Sequence, residues 1–157
     1  IKNDLKNYKV RITPLIKDVE KIIKSGADII AYDATSRKRP FSTKDIILKI
    51  KQSKCLAMAD CSNLEDAKKA IIEGADIIGT TLSGYVGKKI KDTKKPDINL
   101  VRKFKKLDCF VMAEGRYNSP ELARKAILAG ADAVTIGSAI TRIDNITNWY
   151  VKAIKKI

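Results

Sequence analysis

The chain has 157 residues, 45% of them hydrophobic, which is enough to bury one sizeable core, so a single domain is expected. It carries 32 Lys and Arg against 18 Asp and Glu, with three cysteines and no histidine, for a formal net charge of +14. No apolar run approaches a membrane span and no signal-peptide pattern opens the chain, so a cytoplasmic setting without a membrane partner is expected. Without histidine or CxxC spacing, neither a zinc site nor a disulfide framework has support; Cys55, Cys61 and Cys109 read as buried, inert thiols. The lysines are spread over nearly every helix candidate and aromatics are few. This reads as solvated helix faces, and no nucleic-acid partner is expected.

In chain order, Ile1 to Lys9 is short and mostly polar. The opening at Ile1-Lys2 lacks an initiator methionine and reads as the end of a strand, so an N-terminally incomplete domain is expected. Val10-Arg11-Ile12 is a brief extended piece, and Thr13-Pro14 starts a helix that runs to Ser25 with Leu15, Ile16, Val19, Ile22 and Ile23 on one face. Asp28 to Asp33 is a strand, followed by the loop Ala34 to Pro40. Ser42 or Thr43 caps a helix to Gln52, Cys55 to Asp60 is the next strand, and Ser62 is the expected cap of a helix Leu64 to Glu73. Asp76 to Thr80 is a strand leading into Thr81-Leu82-Ser83-Gly84-Tyr85. Val86 to Pro96 is polar, lysine-rich and long for a βα connection, which makes it a lid candidate. A helix over Ile98 to Leu107 precedes the apolar run FVMA, which ends abruptly in Glu114, Gly115 and Arg116. Ser119-Pro120-Glu121 has the serine, proline and acid of a helix start, and Gly130 closes that helix. Ala133 to Ile136 is a short strand ending at Gly137-Ser138, and a last helix spans Asp144 to Lys156.

Three segments share a pattern of helix end, Gly-Ala-Asp, strand: Ser25 to Ile30, Glu73 to Ile78 and Ala129 to Val134. Their spacing fits two βα units each time. Strands alternating with capped helices imply a parallel sheet covered by helices, and repeats of two units favour a TIM (β/α)8 barrel over an open doubly wound sheet. No GxGxxG follows the first complete strand, which weakens a dinucleotide fold further. Five complete strands are counted where a closed barrel has eight. The expected domain, residues 1–157, is thus an N-terminally truncated barrel covering the end of strand 3 to helix 8.

In such barrels the chemistry sits at the C-terminal ends of the strands. Glu114 ends a strand and reads as functional, the alternative being an ion pair with Arg116. Asp60 ends LAMAD in the same way, either contacting substrate or capping the helix that follows. Gly115, Arg116, Gly137 and Ser138 lie on two adjacent loops where backbone N–H groups can approach a phosphate, or they are plain turn residues. Arg142 either neutralises an anion, phosphate or (on the reaction the resemblance below implies) a developing enolate, or opens the last helix as a solvated residue. The loop Arg37-Lys38-Arg39-Pro40 looks like an anion patch, but basic loops often just pair with carboxylates of neighbouring helices. Thr80, Thr81 and Ser83 either contact a ligand, whose hydroxyls they would meet if the resemblance below holds, or satisfy backbone at a strand end.

The motifs AYDATSRKRP (31–40), LAMADCS (56–62), GTTLSGY (79–85), AEGRYNSPELARKAILAGADAV (113–134) and GSAITR (137–142), in this order, resemble the N-acetylmannosamine-6-phosphate 2-epimerase family, TIM-barrel enzymes of amino-sugar and sialic-acid breakdown. Ile143 departs from the proline that usually continues the last motif, and Val86-Gly87-Lys88 replaces a more usual Thr-Pro stretch. The resemblance implies an isomerase without cofactor or metal that inverts C2 of a phosphorylated amino sugar. It implies Lys2 and Glu114 as the catalytic pair, one removing the proton α to the aldehyde and the other returning it on the opposite face. Asp60 then binds a hydroxyl or orients Lys2, and Arg142, Gly115, Arg116, Gly137 and Ser138 bind substrate. Another phosphate-binding TIM-barrel enzyme and an inactive fragment of the epimerase stay open as alternatives, as does a homodimer for the full-length protein.

Overall fold

The computed structural model describes residues 8–86 and 95–155. The elements run α1 (Ile16–Lys24), β1 (Ile29–Asp33), α2 (Thr43–Gln52), β2 (Leu56–Asp60), α3 (Leu64–Glu73), β3 (Ile77–Gly79), α4 (Ile98–Phe104), β4 (Phe110–Glu114), α5 (Pro120–Leu128), β5 (Ala133–Thr135), α6 (Ser138–Thr141) and α7 (Ile143–Ile154). The five strands form one sheet in the order β1-β2-β3-β4-β5, every pair parallel. Spatial order follows chain order without reversal. A (β/α) barrel is wound that way, whereas a doubly wound sheet reverses at a switch point. Among the described residues no helix is long and apolar enough to cross a membrane.

Capping chemistry sets most helix starts. Ser42 accepts from the Asp45 N–H, and the Asp45 carboxylate accepts from the Ser42 N–H, closing a capping box on α2. Ser119 caps α5, with Pro120 in its first turn. Two starts differ from expectation. The cap of α3 is Asn63, whose side-chain oxygen accepts from the Asp66 N–H at 2.8 Å. Ser62 instead donates its hydroxyl and N–H to the Asp66 carboxylate from one residue outside. Helix α1 begins only at Ile16, because Thr13 sits at φ 43 before Pro14, a position where proline disfavours helical backbone, and α1 has no side-chain cap. The short helix α6 was not foreseen, since four residues show no periodicity.

The Gly-Ala-Asp repeat has a physical role. Gly74 and Gly130 end their helices at φ 102 and 103, a conformation open to glycine, and turn the chain directly into the next strand. The aspartate then hooks the preceding strand. Asp76 accepts from the Ala57 N–H at 2.8 Å and from Lys51 at 2.5 Å, and Asp132 accepts from the Val111 N–H at 2.8 Å and from Lys105 at 3.0 Å.

Register and alternation sort the strand residues into two faces. Ile30, Tyr32, Ala57, Ala59, Ile78, Val111 and Ala113 are fully buried and pack with helix residues such as Val19, Ile46, Ile50, Val101 and Phe104 in the main core. The other face carries Met58 and Asp60 on β2, Ile77 and Gly79 on β3, and Met112 and Glu114 on β4. Its polar residues lie at the C-terminal ends of the strands. At the opposite end Ile29, Leu56 and Phe110 are each 43% exposed.

Candidate active site

Parallel pairing brings the strand ends together. Asp33 stands beside Asp60, Asp60 beside Gly79, and Glu114 beside Thr135. Asp60 is buried, and its Oδ1 accepts from the Thr81 hydroxyl at 2.5 Å, the length of a charge-assisted bond. It is therefore not the cap of α3, a place that Asn63 fills. The Thr80 hydroxyl donates to the Glu114 carbonyl at 2.9 Å and accepts from the Glu114 N–H at 3.1 Å, fixing the backbone from which the Glu114 carboxyl projects. Ser83 donates to Asp97 at 2.6 Å. All three hydroxyls thus serve the protein's own framework.

The turn after β4 is tight. Gly115 and Arg116 both have left-handed backbone, at φ 98 and 66, and a Cβ on Gly115 would stand 3.5 Å from the Thr81 carbonyl. Arg116 spends its guanidinium on framework, donating from Nε to the Lys95 carbonyl at 3.0 Å and from Nη2 to the Ser83 carbonyl at 2.9 Å. It also lies over the Tyr85 ring, 5.0 Å from its centre. Together with the Ser83–Asp97 bond, Arg116 clamps the residues on either side of segment 87–94. The lid expectation for Val86 to Pro96 falls, apart from residues 86, 95 and 96, outside the described residues, as does Lys2, so the Lys2–Glu114 separation is not among the described distances.

Gly137 and Ser138 follow β5 and are exposed. The Gly137 carbonyl accepts from the Ile140 N–H, the Thr141 N–H and the Thr141 hydroxyl, so Ser138 opens α6. Arg142 is also exposed and pairs with Asp144 at 3.0 Å at the start of α7, the arrangement of a solvated helix opening. The carboxylate beside Arg142 raises its guanidinium above its ordinary value, and Arg142 in turn lowers Asp144.

Sequence reasoning passed over Asp33. Its side chain is 1% exposed and takes Arg37 at 2.5 Å and Arg39 at 3.5 Å, while the Thr35 N–H and hydroxyl donate to Oδ1. Arg39 also donates to the Asp33 and Thr35 carbonyls. Burial pulls the Arg39 guanidinium below its ordinary value, and Asp33 opposes that shift. The basic loop therefore pairs with its own strand end and not with a neighbouring helix. The signal was available, because Asp33 ends a strand in the same way as Asp60. A cavity of about 410 Å³ lies between this loop and Lys69 and Glu73 of α3, away from Asp60 and Glu114. The cysteines are free, with Cys55 and Cys61 buried and Cys109 partly so, and burial pushes the thiols of Cys61 and Cys109 up.

Parallel strands in barrel order, with carboxylates, hydroxyls and glycines gathered at their C-terminal ends, define an enzyme built on a (β/α) barrel. The family model described as "Putative N-acetylmannosamine-6-phosphate epimerase" matches residues 1–156, and the chain belongs to that family. A Haemophilus influenzae protein named as a 2-epimerase of this kind is 50% identical over 99% of the chain and 67% of its own length. A Vibrio vulnificus protein of the same name is 52% identical over the whole chain and 69% of its own length. The solved N-acetylmannosamine-6-phosphate 2-epimerase of Clostridium perfringens superposes with a TM-score of 0.93 at 37% identity, over 98% of this chain and 68% of that one. The chain thus spans about two thirds of the length of these relatives. A structure described as native KDPGal, at 19% identity and a TM-score of 0.60, shares the fold alone.

Proposed function

We propose that the C-terminal strand ends form one wall of a site that interconverts N-acetylmannosamine 6-phosphate and N-acetylglucosamine 6-phosphate in the cytoplasm. The observation that carries the reading is the placement of Asp60 and Glu114 on one face, at the ends of the strands flanking β3. In the open-chain sugar the C2 proton is α to the aldehyde. Removing it leaves an enolate, and return of a proton to the opposite face inverts the centre. Glu114, on a backbone held by Thr80, serves as one proton carrier. Lys2 is the family's counterpart on the other face. Its amine must fall from about 10.4 toward neutrality to act as a base, through burial or neighbouring cations. Asp60 orients a sugar hydroxyl or that amine. The backbone N–H groups of Gly115, Arg116, Gly137 and Ser138 are the proposed phosphate donors. Arg142 is a proposed phosphate ligand only if it exchanges Asp144 for substrate.

The test is to incubate the full gene product with N-acetylmannosamine 6-phosphate in deuterated water. Deuterium is expected at C2 of both epimers, and Glu114→Gln should lower the rate by about 10²–10⁴-fold without a change in melting temperature. An unaltered protein that neither exchanges C2 nor forms the second epimer overturns the reading.

A further inference from the structure

We propose that Thr80 and Thr81 are a positioning pair, each hydroxyl committed to one of the two acidic residues flanking β3 and neither spent on the sugar. The inference rests on the site assigned above. Beyond Gly79 the chain stays tied on both sides, by the Thr80 N–H to the Met112 carbonyl at 3.2 Å and by the Leu82 N–H to the Cys61 carbonyl at 3.1 Å. The two intervening side chains therefore reach opposite neighbours. Thr80, 1% exposed, addresses both backbone polar groups of Glu114. Thr81 addresses the carboxylate of Asp60. A hydroxyl has one proton to donate, and once Thr81 gives it to Asp60 at 2.5 Å none is left for a substrate oxygen. Gly79 makes this possible. A Cβ there would stand 3.3 Å from Asp60 Oδ1, 3.2 Å from Thr81 Oγ1 and 2.9 Å from Met58 Cε.

A hydroxyl donated to a carboxylate oxygen favours the charged form of the acid, and Thr81 stands in that relation to Asp60. Asp33 faces it from β1, with Arg37 and Arg39 already offsetting that charge. Tyr32 and Cys61 stand nearby with their ionisation pushed up by burial, so both are neutral at working pH. Removing the Thr81 hydroxyl thus takes from the Asp60 carboxyl one donor that favours its ionised form.

The experiment compares Thr81→Val, which keeps the shape, with Thr81→Ser, which keeps the hydroxyl, in the full gene product. T81V should lower kcat by roughly 10- to 100-fold with KM nearly constant, and T81S should restore most of it. The acid limb of the kcat profile and the carbon-13 titration of the Asp60 carboxyl should both move upward in T81V. In an Asp60→Asn background, T81V should add little. Thr80→Val and Thr80→Ser should repeat the contrast through Glu114. A carboxyl titration unmoved in T81V, T81S as impaired as T81V, a rise in KM at constant kcat, or additive losses with D60N would each overturn the proposal. Failure of the unaltered protein to epimerise counts against the function alone, since the carboxyl titration still decides what Thr81 does.

Discussion

The carboxylate of Asp132 accepts a 2.8 Å hydrogen bond from the backbone N–H of Val111, so the residue that opens β5 fastens the second residue of β4. Lys105 completes the arrangement at 3.0 Å. The Val111 N–H, followed by Lys105, lowers the Asp132 pKa below its ordinary 3.8. A depressed carboxylate contributes stability that is complete above its unfolded-state pKa and is lost as pH falls through the folded one. Asp132→Ala should therefore cost about 1–2 kcal/mol at neutral pH. The difference between variant and parent should shrink below pH 3.8, where the parent carboxylate takes up its proton. Urea unfolding at a series of pH values checks both. A difference independent of pH would show that the carboxylate charge is not what holds Val111.

A larger penalty is expected at Asp33. Its buried carboxylate meets two guanidinium groups, and Arg39, with 15% of its side chain exposed, is less free than Arg37 at 22% to turn toward water. Arg39 further holds two backbone carbonyls of the loop. Removing one partner of a buried charge set costs about 3–5 kcal/mol, so Asp33→Asn and Arg39→Ala should fall in that range with Arg37→Ala clearly milder. Thermal unfolding ranks the three. Equal losses from both arginine variants would mean the cluster is solvated in solution.

How far the sequence could lead is visible in these two clusters. Strands and helices could be read because the chain repeats its punctuation: Ser42 and Ser119 cap, Gly74 and Gly130 stop, and Asp76 and Asp132 mark the strands that follow. Caps and stops act over three or four residues, a range at which sequence pattern is informative. Asp60 and Glu114 could be found for a similar reason, each being a carboxylate that interrupts an apolar run. The use of Arg116 on Ser83 and Lys95 could not, because it depends on which loop the fold brings alongside, more than twenty positions away. Nor could the split commitment of Thr80 and Thr81, which follows from register across three strands.

Gly79 offers a test that separates packing from chemistry. A methyl group there meets the flexible end of Met58, which can move aside, but also the Asp60 and Thr81 oxygens, whose bond fixes their positions. Gly79→Ala should therefore cost about 1–3 kcal/mol of stability at most. Turnover should fall further than that cost explains, through displacement of the Asp60 carboxylate. Melting temperature and C2 deuterium exchange measured on the same preparation check the contrast, and a variant with full exchange activity would show that Asp60 tolerates the shift.

The C-terminal helices lead to a prediction about association. No residue of α7 is buried, and α7 packs against α6 while Ile143, Tyr150 and Ile154 remain 78%, 69% and 66% exposed. Ile140 on α6 and Ile127 and Leu128 on α5 add to the exposed apolar surface. Apolar side chains left exposed in number favour association in water. The isolated 157-residue chain should therefore elute from a sizing column at a volume that depends on loading concentration. Trp149, the only tryptophan, gives a local readout on α7, and its emission should shift to shorter wavelength as association buries it. Replacing Ile143 and Ile154 by serine should move the chain toward monomer without affecting Asp60 or Glu114. A monodisperse monomer across the concentration range, melting in one cooperative step with unchanged Trp149 emission, would show that this face needs no cover.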